Sequence, residues 1–118
     1  MKHLADTTLL SQLSPEELKN FLENLEDQNI EVRVDLKGND LSVGAHFSTH
    51  ADPKKVHDEL NNLIEGSEFE IERWWDESNN NSEGFSVVVK KPIQEVSIKH
   101  AQELFNLASQ VYKKAENV

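Results

Sequence analysis

Residues 30–37, IEVRVDLK, alternate without exception between apolar and charged side chains: Ile30, Val32, Val34 and Leu36 against Glu31, Arg33, Asp35 and Lys37. Successive side chains of an extended chain point to opposite faces, so this run is a strand with one dry and one wet face. Lys37-Gly38-Asn39-Asp40 is turn chemistry, and Leu41, Val43, Ala45 and Phe47 resume the alternation. Two such runs so close together join most simply as an antiparallel hairpin. A second hairpin is written the same way. Phe69, Ile71, Arg73 and Trp75 alternate with Glu70, Glu72 and Trp74; after the polar loop DESNNNSEG, Phe85, Val87 and Val89 alternate with Ser86, Val88 and Lys90. That loop is long for a hairpin and is expected to be mobile.

The segments between the strands have helical spacing. Ser14-Pro15-Glu16-Glu17 combines an N-cap, a proline at the first helical position and a capping box. Leu18, Phe21, Leu22 and Leu25 then fall on one face, predicting a helix over 15–27. Asp52-Pro53 starts a second helix over 53–65, with Val56, Leu60, Leu63 and Ile64 on one face and Gly66 as its stop. Ala101, Leu104, Phe105, Ala108, Val111 and Tyr112 mark a third over 96–115, closed by Lys113 and Lys114 at the negative end of its dipole. Upstream, Asp6 fits the cap of a short turn carrying Leu9, Leu10 and Leu13.

The order α-ββα-ββα follows. Four strands with one apolar face each, and three amphipathic helices to cover them, predict an α+β two-layer sandwich with the helices on one side of a four-stranded antiparallel sheet. The length of 118 residues suits a single domain over 1–118. The alternation leaves the order of strands open, because the hairpins can join through either edge. A variant of this plan pairs one hairpin with a second copy of the chain.

Charge narrows the partners. The net charge is −10, and the first 83 residues hold 19 of the 22 acids but 7 of the 12 bases. Such a surface repels phosphates, which argues against DNA or RNA as a direct ligand. No apolar run reaches the roughly 20 residues of a membrane span, and MKHLADTTLL lacks the apolar middle of a signal peptide, so a cytoplasmic location is expected. The absence of cysteine excludes disulfides, thiol nucleophiles and thiolate zinc sites.

Acids gather in two places: helix 1 with its end (Glu16, Glu17, Glu23, Glu26, Asp27) and the second hairpin (Glu65, Glu68, Glu70, Glu72, Asp76, Glu77, Glu83). Parity places Trp75 with the core residues Phe69 and Ile71, and Trp74 with Glu70 and Glu72 on the outer sheet face, where Val88 also points. An indole amid carboxylates resembles an interface anchor with a polar rim. The candidate partner-binding residues are therefore Glu68, Glu70, Glu72, Trp74, Asp76, Glu77 and Val88. The competing reading lays Trp74 flat on the sheet, or covers it with residues 1–13; a bulge would reverse its parity.

The histidines, His3, His46, His50, His57 and His100, match no metal-binding spacing. On a continuous strand His46 and His50 stand about 13 Å apart, too far to share an ion. No serine sits in a nucleophile elbow, and Gly38, Gly44, Gly66 and Gly84 form no phosphate loop. No metal, cofactor or catalytic residue is assigned, and an enzyme is not the expectation.

A small acidic domain without a catalytic constellation suits a role of occupying a basic site. The expected function is a protein-binding module that neutralises a basic protein, such as a nuclease or another nucleic-acid enzyme, in the manner of immunity proteins or phage-encoded inhibitors. The alternatives are a dimeric chaperone or adaptor, and a small enzyme using His46, His50 or His57 with nearby acids. Monomer and homodimer both remain open.

Overall fold

Ser14 starts the first helix as its spacing demands. Its Oγ accepts from the Glu17 N–H at 3.2 Å, and Glu17 Oε1 accepts in return from the Ser14 N–H at 3.2 Å. The helix, α1, spans Pro15–Leu25 and ends two residues before the predicted boundary. Asp27 is the reason: its Oδ1 accepts from the N–H groups of Asn29 and Ile30 at 2.7 and 2.9 Å, turning the chain into the first strand.

The chain is described here from a computed structural model covering residues 7–27, 29–49, 52–75 and 83–116; the side chains of 73–75, 83 and 116 lie outside that description. Strands β1 (Ile30–Lys37) and β2 (Asp40–Thr49) form the first hairpin, and β3 (Glu70–Trp75) and β4 (Glu83–Pro92) the second. Helix α2 spans Pro53–Ile64 between them, and α3 (Ile98–Glu116) follows β4. The result is the α+β two-layer fold in the predicted order. The sheet runs β1-β2-β4-β3, antiparallel throughout, so β2 and β4 are central and join the two hairpins.

Turn chemistry fixes the registers. Gly38 adopts φ +63° at the first central position of a two-residue turn, which pairs Lys37 with Asp40. Asp52 Oδ1 accepts from the Lys54 N–H at 3.1 Å to cap α2, and Gly66, at φ +78°, lies just beyond that helix.

One face of the sheet meets the helices. Val43, Ala45 and Phe47 of β2 and Phe85, Val87 and Val89 of β4 are buried there with Val56 and Leu60 of α2 and Ala101, Leu104, Ala108 and Val111 of α3. Phe47 stacks on Phe85 with ring centroids 5.8 Å apart and meets Tyr112 edge-on at 6.2 Å. Helix α1 is more peripheral: Leu18, Phe21, Leu22 and Leu25 pack on the core but none is fully buried.

Residues 7–13 dock beside the start of α3. Leu10 enters the core, its N–H donates to Val96 O at 2.9 Å, and Thr8 O accepts from the Ile98 N–H at 2.9 Å. That last bond satisfies one of the otherwise unpaired amides at the α3 N terminus. The segment that follows Asp6 thus braces a helix; Asp6 itself, with the rest of residues 1–6, lies outside the described residues. Among the described residues, no helix is long and apolar enough to cross a membrane.

Candidate functional site on the outer sheet face

The other parity of each strand forms the outer face. From edge to edge it presents Glu31, Arg33 and Asp35 of β1, then Ser42, Gly44, His46 and Ser48 of β2. Ser86, Val88 and Lys90 of β4 follow, and then Glu70 and Glu72 of β3. The charged residues lie on the flanks and are exposed. The middle is close-packed, with no helix among the described residues above it: Ser86 is 1% exposed and Val88 3%.

Gly44 makes this packing work. A Cβ there would stand 2.8 Å from Val88 Cγ1 and 3.0 Å from His46 Nε2. The missing side chain leaves room for Val88, its partner across the strands, and for the His46 imidazole two residues along, which accounts for a glycine in the middle of a central strand. On the other side of its ring, His46 Nδ1 lies 2.7 Å from Ser86 Oγ, across the register pair His46–Ser86. Burial holds the His46 imidazole below the ordinary histidine range, and the Arg33 guanidinium adds to the shift; Glu31, Glu72 and Asp35 oppose it.

Beside this pair runs a groove of about 820 Å³ between the sheet and the residues Glu26, Asp27 and Asn29 that precede β1. Among the described residues, Glu26, Asp27, Glu31 and Glu72 bring four carboxylates to its lining, and Arg33 is its single cation. Arg33 is held by Glu31, with Nε 3.1 Å from Oε1, which raises the guanidinium pKa further. A second groove, about 610 Å³ between α2 and the end of α3, is balanced: Asp52, Asp58 and Glu59 face Lys55, Lys113 and Lys114. Of these two grooves only the first carries a pronounced sign.

The sequence-derived contact residues separate into three groups. Glu70 and Glu72 lie on the outer face as predicted. Glu72 Oε1 is 2.7 Å from Lys90 Nζ, and this pairing raises the Lys90 pKa. Val88 shares that face, but as its floor rather than as a projecting contact.

Glu68 lies elsewhere, beside the start of α3, where one carboxylate oxygen binds Lys91 and the other lies 3.1 Å from His100 Nε2. His100 Nδ1 receives the Ser97 N–H at 3.0 Å, so its hydrogen resides on Nε2 and is donated to Glu68. Lys91 first, and His100 second, hold the Glu68 carboxyl below its usual range. Position 74 pairs with Gly84 in the register, on the parity of Glu70 and Glu72. The Trp74 side chain, Asp76 and Glu77 lie outside the described residues, as do His3 and His50.

His46 and Ser86 were invisible to sequence reasoning as a pair, because 40 residues separate them. The available signal was the shared outward parity together with a glycine two residues from His46. Their contact has the atoms of a serine–histidine dyad but not its setting. Ser86 is buried on a central strand, with ladder partners on both sides, so the neighbouring amides are committed to the sheet rather than free to stabilise an oxyanion. Among the described residues no group of three or more His, Asp or Glu side chains is placed to hold a metal ion. No protein-family model matches the chain, and neither a curated protein nor a solved structure shows significant similarity to it.

Proposed function

We propose that this chain is an acidic protein-binding module that occupies the cationic site of a basic partner, of the kind that otherwise grips nucleic acid. The observation that carries this reading is the outer-face groove, where, among the described residues, four carboxylates meet one guanidinium already committed to Glu31. A lysine or arginine entering there gains charge-assisted hydrogen bonds on a rigid strand framework. The net charge of −10 adds long-range attraction that speeds encounter and fades as salt screens it. Neutralisation follows directly, since a partner's phosphate-binding side chains cannot hold carboxylates and phosphates at once.

The test is affinity capture from native lysate on immobilised wild-type chain and on the triple variant Glu26→Gln, Glu31→Gln, Glu72→Gln. The expected result is a basic protein retained by the wild type, eluted by rising salt and absent from the variant. The free chain should then displace nucleic acid from that protein. Equal retention by both baits, or retention insensitive to salt, would overturn the reading.

A further inference from the structure

We infer that the open edge of β1 is a homodimer interface, on which a second copy of the chain adds its own β1 antiparallel to form one continuous eight-stranded sheet. The inference does not rest on the groove's ligand, although Glu31 and Arg33 belong to both surfaces.

The first observation concerns backbone direction. A two-residue turn closes on a pair that exchanges both hydrogen bonds, so Lys37, Asp35, Arg33 and Glu31 direct their N–H and C=O groups to β2. The alternate residues direct theirs outward. Ile30 confirms this, because its N–H and C=O are both taken by Asp27, at 2.9 and 3.2 Å. Val32, Val34 and Leu36 therefore present their backbone groups at an edge that no strand among the described residues covers.

The second observation concerns side chains. A two-fold axis at Val34 sets Val34 against its own copy and Val32 against Leu36, each as a hydrogen-bonded pair. The same axis sets Arg33 opposite Asp35 and Glu31 opposite Lys37, on the wet face, twice over. Every charged pair is then attractive and every inner pair apolar. The neighbouring symmetric registers fail: an axis at Arg33 opposes Arg33 to itself and Glu31 to Asp35, and an axis at Asp35 opposes Asp35 to itself and Arg33 to Lys37. Axes at Val32 or Leu36 keep an attractive pair, Glu31–Arg33 or Asp35–Lys37, but slide the strands out of full overlap, and the first calls on the Ile30 backbone groups that Asp27 already holds. The axis at Val34 pairs the strand over its length, with roughly six new backbone hydrogen bonds.

The third observation is Leu36, 58% exposed and the only large apolar side chain among the described residues that is. It stands on the inner parity at this edge, and α1, which packs against β1, leaves its own apolar stripe half-buried nearby. Pairing carries Leu36 against Val32 of the second copy. The opposite edge of the sheet lacks this complementarity, since self-pairing of β3 about Ile71 or Glu72 sets glutamate against glutamate.

Sedimentation or light scattering over a concentration series to about 1 mM tests the proposal. The wild type should approach about 27 kDa, twice the 13.5 kDa chain. Asp35→Arg, which opposes two arginines at each of two positions, should weaken the dimer by about tenfold or more. The double variant Arg33→Asp, Asp35→Arg restores attraction and should restore the dimer. Val34→Cys, in a chain without other cysteines, should oxidise readily to a covalent dimer, because directly opposed residues of this kind lie about 5.5 Å apart at Cα. A wild type that remains monomeric throughout, or a folded double variant that remains monomeric, would overturn the proposal.

Discussion

His46 and Ser86 face each other across the two central strands, and their side chains meet at 2.7 Å between Nδ1 and Oγ. The contact joins the two hairpins on the face the helices do not cover. It also fixes a histidine whose folded pKa lies below its ordinary value of 6.5. As pH falls below that value the unfolded chain takes up the proton before the folded one does, so stability drops until the folded pKa is passed. Denaturant titrations of the wild type should lose stability as the pH falls below about 6.5, and His46→Gln should flatten that decline. The Glu68 carboxyl, with its folded pKa depressed, makes its loss at lower pH, through the carboxylate range.

The same packing predicts an energetic coupling. Gly44→Ala drives a methyl against Val88 and His46, and should destabilise by about 1–3 kcal/mol. Val88→Ala removes the nearer obstacle. In a urea double-mutant cycle the pair should therefore cost less than the sum of its single changes. Additive costs would mean that Val88 and residue 44 do not touch.

Helix α1 and the central core should respond differently to substitution. Ser14→Ala removes the cap of a helix with no fully buried side chain, for a cost of about 1 kcal/mol. Leu104→Ala opens a cavity where α3 lies on the sheet and should cost about 2–5 kcal/mol. Urea midpoints at constant slope measure both, and hydrogen exchange should localise the first to α1.

Lys90 moderates the acidity of the outer face through Glu72. Lys90→Ala should leave the melting temperature close to that of the wild type, since the pair is exposed and solvent-screened. It should also tighten binding of an arginine-rich peptide and steepen its salt dependence. Weaker binding would place the contact on another surface.

Elements and their faces were legible in the sequence because apolar and polar residues alternate along most of each strand. A strand such as Ile30–Lys37 advertises its parity residue by residue, and the caps at Ser14 and Asp52 announce helix starts. Strand order was not legible, because the pattern is the same whichever edge joins the hairpins. The end of α1 was overextended since Asp27 reads equally well as a helix terminus or as the side chain that launches β1. Helix α3 begins at Ile98 rather than 96, where Ser97 and His100 organise its first turn.

The candidate site was legible only in part. Glu70 and Glu72 follow from parity. Lys90 and Lys91 reach carboxylates 18 and 23 residues away, which only the folded registers bring together. The direction of Val88 follows from parity, but its burial does not, because the glycine beside it lies 44 residues upstream.

The central claim is that a cationic ligand enters the groove beside His46. Amide chemical-shift mapping with an arginine-rich peptide, at low and at physiological salt, tests it most directly. The account predicts saturable shifts confined to Glu26–Arg33, His46–Ser48, Glu72 and Ser86, weakened by salt and lost in the Glu26→Gln, Glu31→Gln, Glu72→Gln variant. Shifts centred on α1, or on the cleft between α2 and α3, or unchanged in that variant, would contradict it.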